Sequence, residues 1–190
     1  MRSGRRDSES GTRLPISRAG AGFRRPDPRV LVIGVGNPDR GDDGAGVAVV
    51  RHLRGRVGPG VRLIELPSNL TRLVDCWHAS DVVVLVDATS SGAAPGTVRR
   101  FDATSAPLPA RTFQGHSTHG FGVAEAIELA RALGRLPRQL VVYGIEGARF
   151  GAETGLSAPV EVAARDVARS LELVRAMMVP ISRVHPRGSR

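Results

Sequence analysis

Residues Val82-Val83-Val84-Leu85-Val86 are five consecutive apolar positions, and the run stops at Asp87. A strand that is apolar at every position has no face to give to water, so it must be covered on both sides, as in a parallel sheet between helices. Val30-Leu31-Val32-Ile33, ended by Gly34, and Gln139–Ile145 read the same way. Val61–Leu66 adds a strand. Gly96–Asp102 alternates less cleanly and reads as an edge strand that can run antiparallel.

Helical spacing fills the gaps between these runs. Asp42-Asp43-Gly44-Ala45-Gly46 opens a pattern of Val47, Val50 and Leu53 that ends near Gly55. Leu70, Leu73, Val74 and Trp77 share one face of a second helix. Val123, Ile127, Ala130 and Leu133 mark a third, stopped by Gly134. A long last helix runs from about Ala158 to Met178 with Val160, Ala164, Val167, Leu171, Val174 and Met178 inward. Ser157 is its N-cap candidate and Pro159 falls in its first turn. The expectation is a three-layer α/β/α sandwich around a mostly parallel sheet of about five strands. Its binding crevice should lie at the carboxyl ends of the strands.

With 190 residues, 41% of them hydrophobic, the chain suits one ordinary domain with a real core. Its formal charge of +9 suggests nucleic acid until it is divided along the chain. Residues 1–28 carry +4, residues 180–190 carry +3, and residues 29–179 hold 17 Arg against 15 acids, only +2. The division predicts one α/β domain over 29–179 between flexible Arg-rich tails at 1–28 and 180–190, with no nucleic-acid partner. Aromatic residues, at 4%, are too few for a base-stacking platform. The apolar runs break after six or seven residues, far short of a membrane span, and no apolar stretch follows the early arginines, so a cytoplasmic chain is expected. All 27 basic residues are Arg, which removes a phosphate loop that needs lysine, a Schiff base and a Ser-Lys dyad. The single cysteine, Cys76, excludes an internal disulfide and reads as core beside Trp77.

Two readings compete for the loop Gly34-Val35-Gly36-Asn37-Pro38-Asp39-Arg40-Gly41-Asp42-Asp43-Gly44. As a dinucleotide-binding turn it fails, because Asp39 holds the third glycine position and three acids face the place of the pyrophosphate. As an acidic loop it aims carboxylates into the crevice to hold a cation or polarise water, although Asp42 or Asp43 could equally cap the helix. Asp87 strengthens the acidic reading: a carboxylate directly after a central strand needs a cation, a donor such as Thr89 or Ser90, or a substrate. His119 opens a helix beside Gly120 and Gly122, with His116 as its competitor. Two carboxylates and an imidazole at one sheet edge make an O,O,N set for a divalent transition metal. Ser90-Ser91 lacks the setting of a nucleophile elbow, and Glu146 either lines the crevice or is an ordinary loop carboxylate.

Gly34-Val35-Gly36-Asn37 with Asp42-Asp43-Gly44-Ala45-Gly46, then Val84-Leu85-Val86-Asp87-Ala88, Pro95-Gly96-Thr97, Ser117-Thr118-His119-Gly120-Phe121-Gly122 and Gly155-Leu156-Ser157 together resemble the endopeptidases that mature nickel-iron hydrogenases. The resemblance runs from about Val30 to Val179. It implies a protease without the usual triad, which removes a C-terminal extension from the hydrogenase large-subunit precursor after nickel insertion. Carried over by position, it implies Asp43 and Asp87 as catalytic acids, and Asp43, Asp87 and His119 as metal ligands with His116 outside the set. Some relatives have Glu where this chain has the shorter Asp43. It implies no permanent cofactor, the metal being the substrate's nickel, with zinc or cadmium able to substitute in vitro. The protein is expected to act as a monomer. The competing reading is a small-molecule or nucleotide-binding α/β module, against which the missing phosphate loop and the presence of His119 both count.

Overall fold

A computed structural model describes residues 30–67, 70–77, 80, 82–109, 112–113, 122–152 and 155–178. The expected tails at 1–28 and 180–190 lie outside the described residues, as do His116 and His119. Five strands form one sheet: β1 (Val30–Val35), β2 (Val61–Leu66), β3 (Val82–Thr89), β4 (Val98–Asp102) and β5 (Gln139–Glu146). Their order is β2-β1-β3-β5-β4, with every pairing parallel except β4 against β5. The apolar runs therefore occupy the covered interior, and the less regular strand is the antiparallel edge.

Side chains alternate between the two faces as the pleat requires. Leu31, Ile33, Val83, Leu85, Leu140 and Val142 face a cluster with Leu73 and Trp77 of the second helical segment and Val123, Ala126, Ile127 and Ala130 of α3 (Val123–Ala132). Val32, Val84, Val86 and Ile145 face the other way, against α1 (Ala45–Leu53) and α4 (Ala158–Met178). Fully burying a side chain such as Leu85 contributes about 1.5–3 kcal/mol, and this two-sided burial holds the three layers together. The α/β/α sandwich with one antiparallel edge strand is the architecture the apolar runs imply.

Three local expectations are corrected. The second helix is a 3-10 turn over Leu70–Arg72 followed by a four-residue α2 (Leu73–Cys76); Leu70, Leu73 and Trp77 are buried as expected, but the segment is too short for a regular helix. Leu133 is 56% exposed because α3 ends at Ala132 and Gly134, in a left-handed conformation, turns the chain away. Finally, β3 does not stop at Asp87. Its ladder with β1 ends at Gly34↔Val86, while its ladder with β5 continues through Asp87↔Gly144 to Thr89↔Glu146.

The chain goes from β1 to β2 on one side and returns across β1 to β3 on the other, so the connection reverses between β1 and β3. In open α/β sheets the crevice at that reversal, beyond the strands' carboxyl ends, is where ligands bind.

Candidate active site

At the reversal, β1 leads into a 3-10 turn, Gly41–Gly44, that carries both candidate acids of the first loop, and α1 starts directly after it. The start of α1 sits on the strand ends. A Cβ on Gly46 would lie 2.2 Å from the carbonyl oxygen of Val86 and 2.5 Å from that of Val35, so only glycine lets the helix come this close. Gly36 has φ +123°, and a Cβ there would meet the carbonyl oxygen of Asp43 at 1.8 Å. These two glycines fold the acidic turn back over the ends of β1 and β3.

Neither acid caps α1, whose N-cap is Gly44 with no side-chain cap bond. They instead have separate fates. Asp42 is fully buried and accepts four hydrogen bonds: from Ser157 N at 2.6 Å on Oδ1, and from Ala148 N at 2.8 Å, Arg149 N at 3.0 Å and Ser157 Oγ at 2.9 Å on Oδ2. Burial alone would raise its pKa, but these donors together outweigh burial and hold the carboxyl below its ordinary range. Ser157, expected as the cap of α4, gives both its amide and its hydroxyl to Asp42. Asp43 is half-buried, and its Oδ2 accepts from Asn37 N at 3.0 Å.

Asp87 has the parity of Val83 and Leu85 and so faces the layer of α3. It is half-buried, in the part of β3 that runs past the end of its ladder with β1. Among the described residues its one hydrogen bond comes from the amide of Ala88, at 2.9 Å to Oδ1. Neither Thr89 nor Ser90 serves it; Thr89 Oγ1 donates to Glu146 instead. Burial first, and then the charge of Asp43, push the Asp87 carboxyl up to about 7, against the small opposing effect of the Ala88 bond. Asp43 and Asp87 are thus brought together closely enough to repel.

Glu146 does not line the crevice. This buried carboxylate accepts from Thr89 Oγ1 at 2.7 Å, Ser91 Oγ at 2.9 Å, and the amides of Ser91, Gly92 and Ala93 at 2.6, 2.8 and 3.1 Å. Burial works to raise its pKa, yet the donors of Thr89, Ser91 and Gly92 prevail and lower it. Its work is to tie the loop after β3 to the end of β5. The signal was in the sequence as an acid followed by no partner of its own, opposite a Thr-Ser-Ser-Gly loop, but the pairing needs the register of β3 on β5.

Among the described residues no three His, Cys, Asp or Glu side chains gather to hold a metal. Asp43 and Asp87 supply two oxygen donors. The segment with His116 and His119, which precedes α3 in the chain, lies outside the described residues. No helix among the described residues is long and apolar enough to cross a membrane.

Fold and crevice define a doubly wound α/β domain that offers a pair of acids at its switch point in place of a phosphate cradle. The family model described as hydrogenase maturation protease matches residues 47–173. The chain belongs to the hydrogenase maturation protease family. The match includes Asp87 and His119 and begins just after Asp42 and Asp43. The hydrogenase expression/formation protein HupD of Thiocapsa roseopersicina is 34% identical over 126 residues, which are 64% of this chain and 56% of that protein. The chain therefore spans little more than half the length of that curated relative. Among solved structures, the hydrogenase maturating endopeptidase HybD of Escherichia coli superposes with a TM-score of 0.67 at 25% identity, covering 79% of this chain and 94% of that one. The nickel-iron hydrogenase maturation protease HycI of Thermococcus kodakarensis gives 0.62 at 26% identity, covering 77% and 92%.

Proposed function

We propose that this chain is an endopeptidase that removes a C-terminal extension from the large-subunit precursor of a nickel-iron hydrogenase after nickel has been inserted. The observation that carries the reading is the Asp43–Asp87 pair. Two carboxylates repel across the crevice, and among the described residues Asp87 has a single amide to offset its burial. Such a site gains most from a cation, which would relieve both the desolvation of Asp87 and the repulsion. In this reading the cation is the nickel of the precursor, which belongs to the substrate and is not a resident cofactor.

In this mechanism Asp43, fixed through Oδ2 by the Asn37 amide, presents Oδ1 to the nickel. Asp87, fixed through Oδ1 by Ala88, presents Oδ2. His119 is the third ligand and His116 stays outside. Docking the metal sets the register of the peptide, so the bond to be cut lies beside the acids. A second reading, in which the acids act in the manner of aspartic-type peptidases, is supported by the same carboxyl near 7: Asp87 can take a proton from water at neutral pH. We place the enzyme in the cytoplasm, acting as a monomer.

Mass spectrometry of the precursor after incubation with the purified protein tests the proposal. The nickel-loaded precursor should shorten at one C-terminal bond and the metal-free precursor should stay whole. Asp43→Asn and Asp87→Asn should each slow cleavage by roughly 100-fold or more while remaining folded. Cleavage that is equal with and without nickel would remove metal recognition and leave the water-activating reading; full activity of both variants would remove both.

A further inference from the structure

Asp42 and Asp43 are neighbours in one 3-10 turn, so their side chains leave the backbone about 120° apart and fixing one direction fixes the other. Asp42 is held by four hydrogen bonds against one for Asp43 among the described residues. Its carboxylate collects Ala148 N, Arg149 N, Ser157 N and Ser157 Oγ, all from the connection between β5 and α4. Its own amide donates to the Arg149 carbonyl at 2.8 Å, so the same connection grips the turn from both sides. Gly41 closes the fit: with φ +60°, a Cβ there would meet the Arg149 oxygen at 2.8 Å. The partners are over 100 residues away in the chain.

We propose that Asp42 is a positioning residue, which docks the acidic turn on the β5–α4 connection and so turns Asp43 toward Asp87. The charge is required as well as the shape. Four donors converge on a group that can only accept, whereas an amide in the same place would aim its own N–H bonds at backbone N–H groups. Asp42→Asn therefore releases the turn at nearly constant volume, and Asp43 loses its fixed direction. A purely structural Asp42 would lower the folded fraction and leave each folded molecule as active as before.

The proposal rests on the endopeptidase reading for its kinetic arm only. Steady-state cleavage of nickel-loaded precursor should be compared among the wild type, Asp42→Asn, Ser157→Ala, and Leu171→Ala, a core truncation in α4 remote from the crevice. The comparison is made at temperatures where each is fully folded by circular dichroism. Per folded molecule, Asp42→Asn should lose roughly 10- to 100-fold in kcat with KM within about twofold. Ser157→Ala, which removes one of the four bonds, should fall between, and Leu171→Ala should keep wild-type kcat. A crystal structure of the Asp42→Asn protein should show the Asn37–Asp43 bond broken. Should Asp42→Asn not fold, Ser157→Ala carries both measurements, with a smaller loss and a displaced Asp43. If the wild type cuts nothing, the endopeptidase reading has failed and the crystal structure alone decides whether Asp42 aims Asp43. Wild-type kcat per folded molecule in the variant, or an Asn37–Asp43 bond that survives, overturns the proposal.

Discussion

Three carboxylates near the strand ends show how environment, more than residue type, decides a role. Asp42 and Glu146 are surrounded by donors and lie below their ordinary pKa range, while Asp87 is half-buried with one amide and lies near 7. The sign of the stability effect follows. Because folding raises the Asp87 pKa, the folded state holds the proton more tightly between about pH 4 and 7, so stability is lost as pH rises through that window. Asp87→Asn, which has no proton to lose, should melt several degrees above the wild type at pH 8 and close to it at pH 4, in thermal scans at both values. A constant difference at the two pH values would mean that Asp87 is not desolvated. Sequence alone could single out Asp87, since a charge that ends an apolar run is visible by position. Residue type and spacing leave Asp42 and Asp43 equivalent, and only the family resemblance selects Asp43, because what separates them physically is a set of donors at 148, 149 and 157 that only the folded chain brings near.

The elements were more legible than the residues. Continuous apolar runs announced β1, β3 and β5, since a strand covered on both faces leaves no polar positions. The bounds of α4, Ala158–Met178, follow from its spacing and its serine start. The last residues of β3 are not legible in the sequence, because Asp87, Ala88 and Thr89 are held by pairing with β5, and pairing partners leave no mark on the strand itself. The second helix is shorter than its pattern implies for a related reason: its apolar positions fit one helical face, but their burial needs only a single turn. The close seat of α1 on the strand ends yields a test at this scale. Gly46→Ala drives a methyl group into two backbone carbonyls that cannot move without breaking β1 or β3, and urea denaturation should show a loss of at least about 3 kcal/mol. A loss under about 1 kcal/mol would mean that α1 can lift from the sheet, and the acidic turn with it.

At the scale of the molecule, strand order turns scattered acids into a site. The reversal between β1 and β3 places the loop after one strand beside the end of the other, and it does so for residues 44 positions apart in sequence. The fold class and the location of the crevice were readable from hydrophobic pattern. The order β2-β1-β3-β5-β4 was not, because pairing depends on side-chain packing between distant segments. Charge, which first suggested nucleic acid, belongs to the ends of the chain, and the crevice itself is acidic. That acidity is the core of the account: one cation should bind where Asp43 and Asp87 meet. The direct measurement is calorimetric titration of the full chain with cadmium at pH 7.5, repeated for Asp43→Ala, Asp87→Ala, His119→Ala and His116→Ala. The wild type should bind one ion, with affinity falling below pH 7 as protons compete for Asp87. The first three variants should each lose at least about tenfold in affinity, and His116→Ala should bind as the wild type does. Undiminished binding by Asp43→Ala and Asp87→Ala, or a loss from His116→Ala with none from His119→Ala, would contradict it.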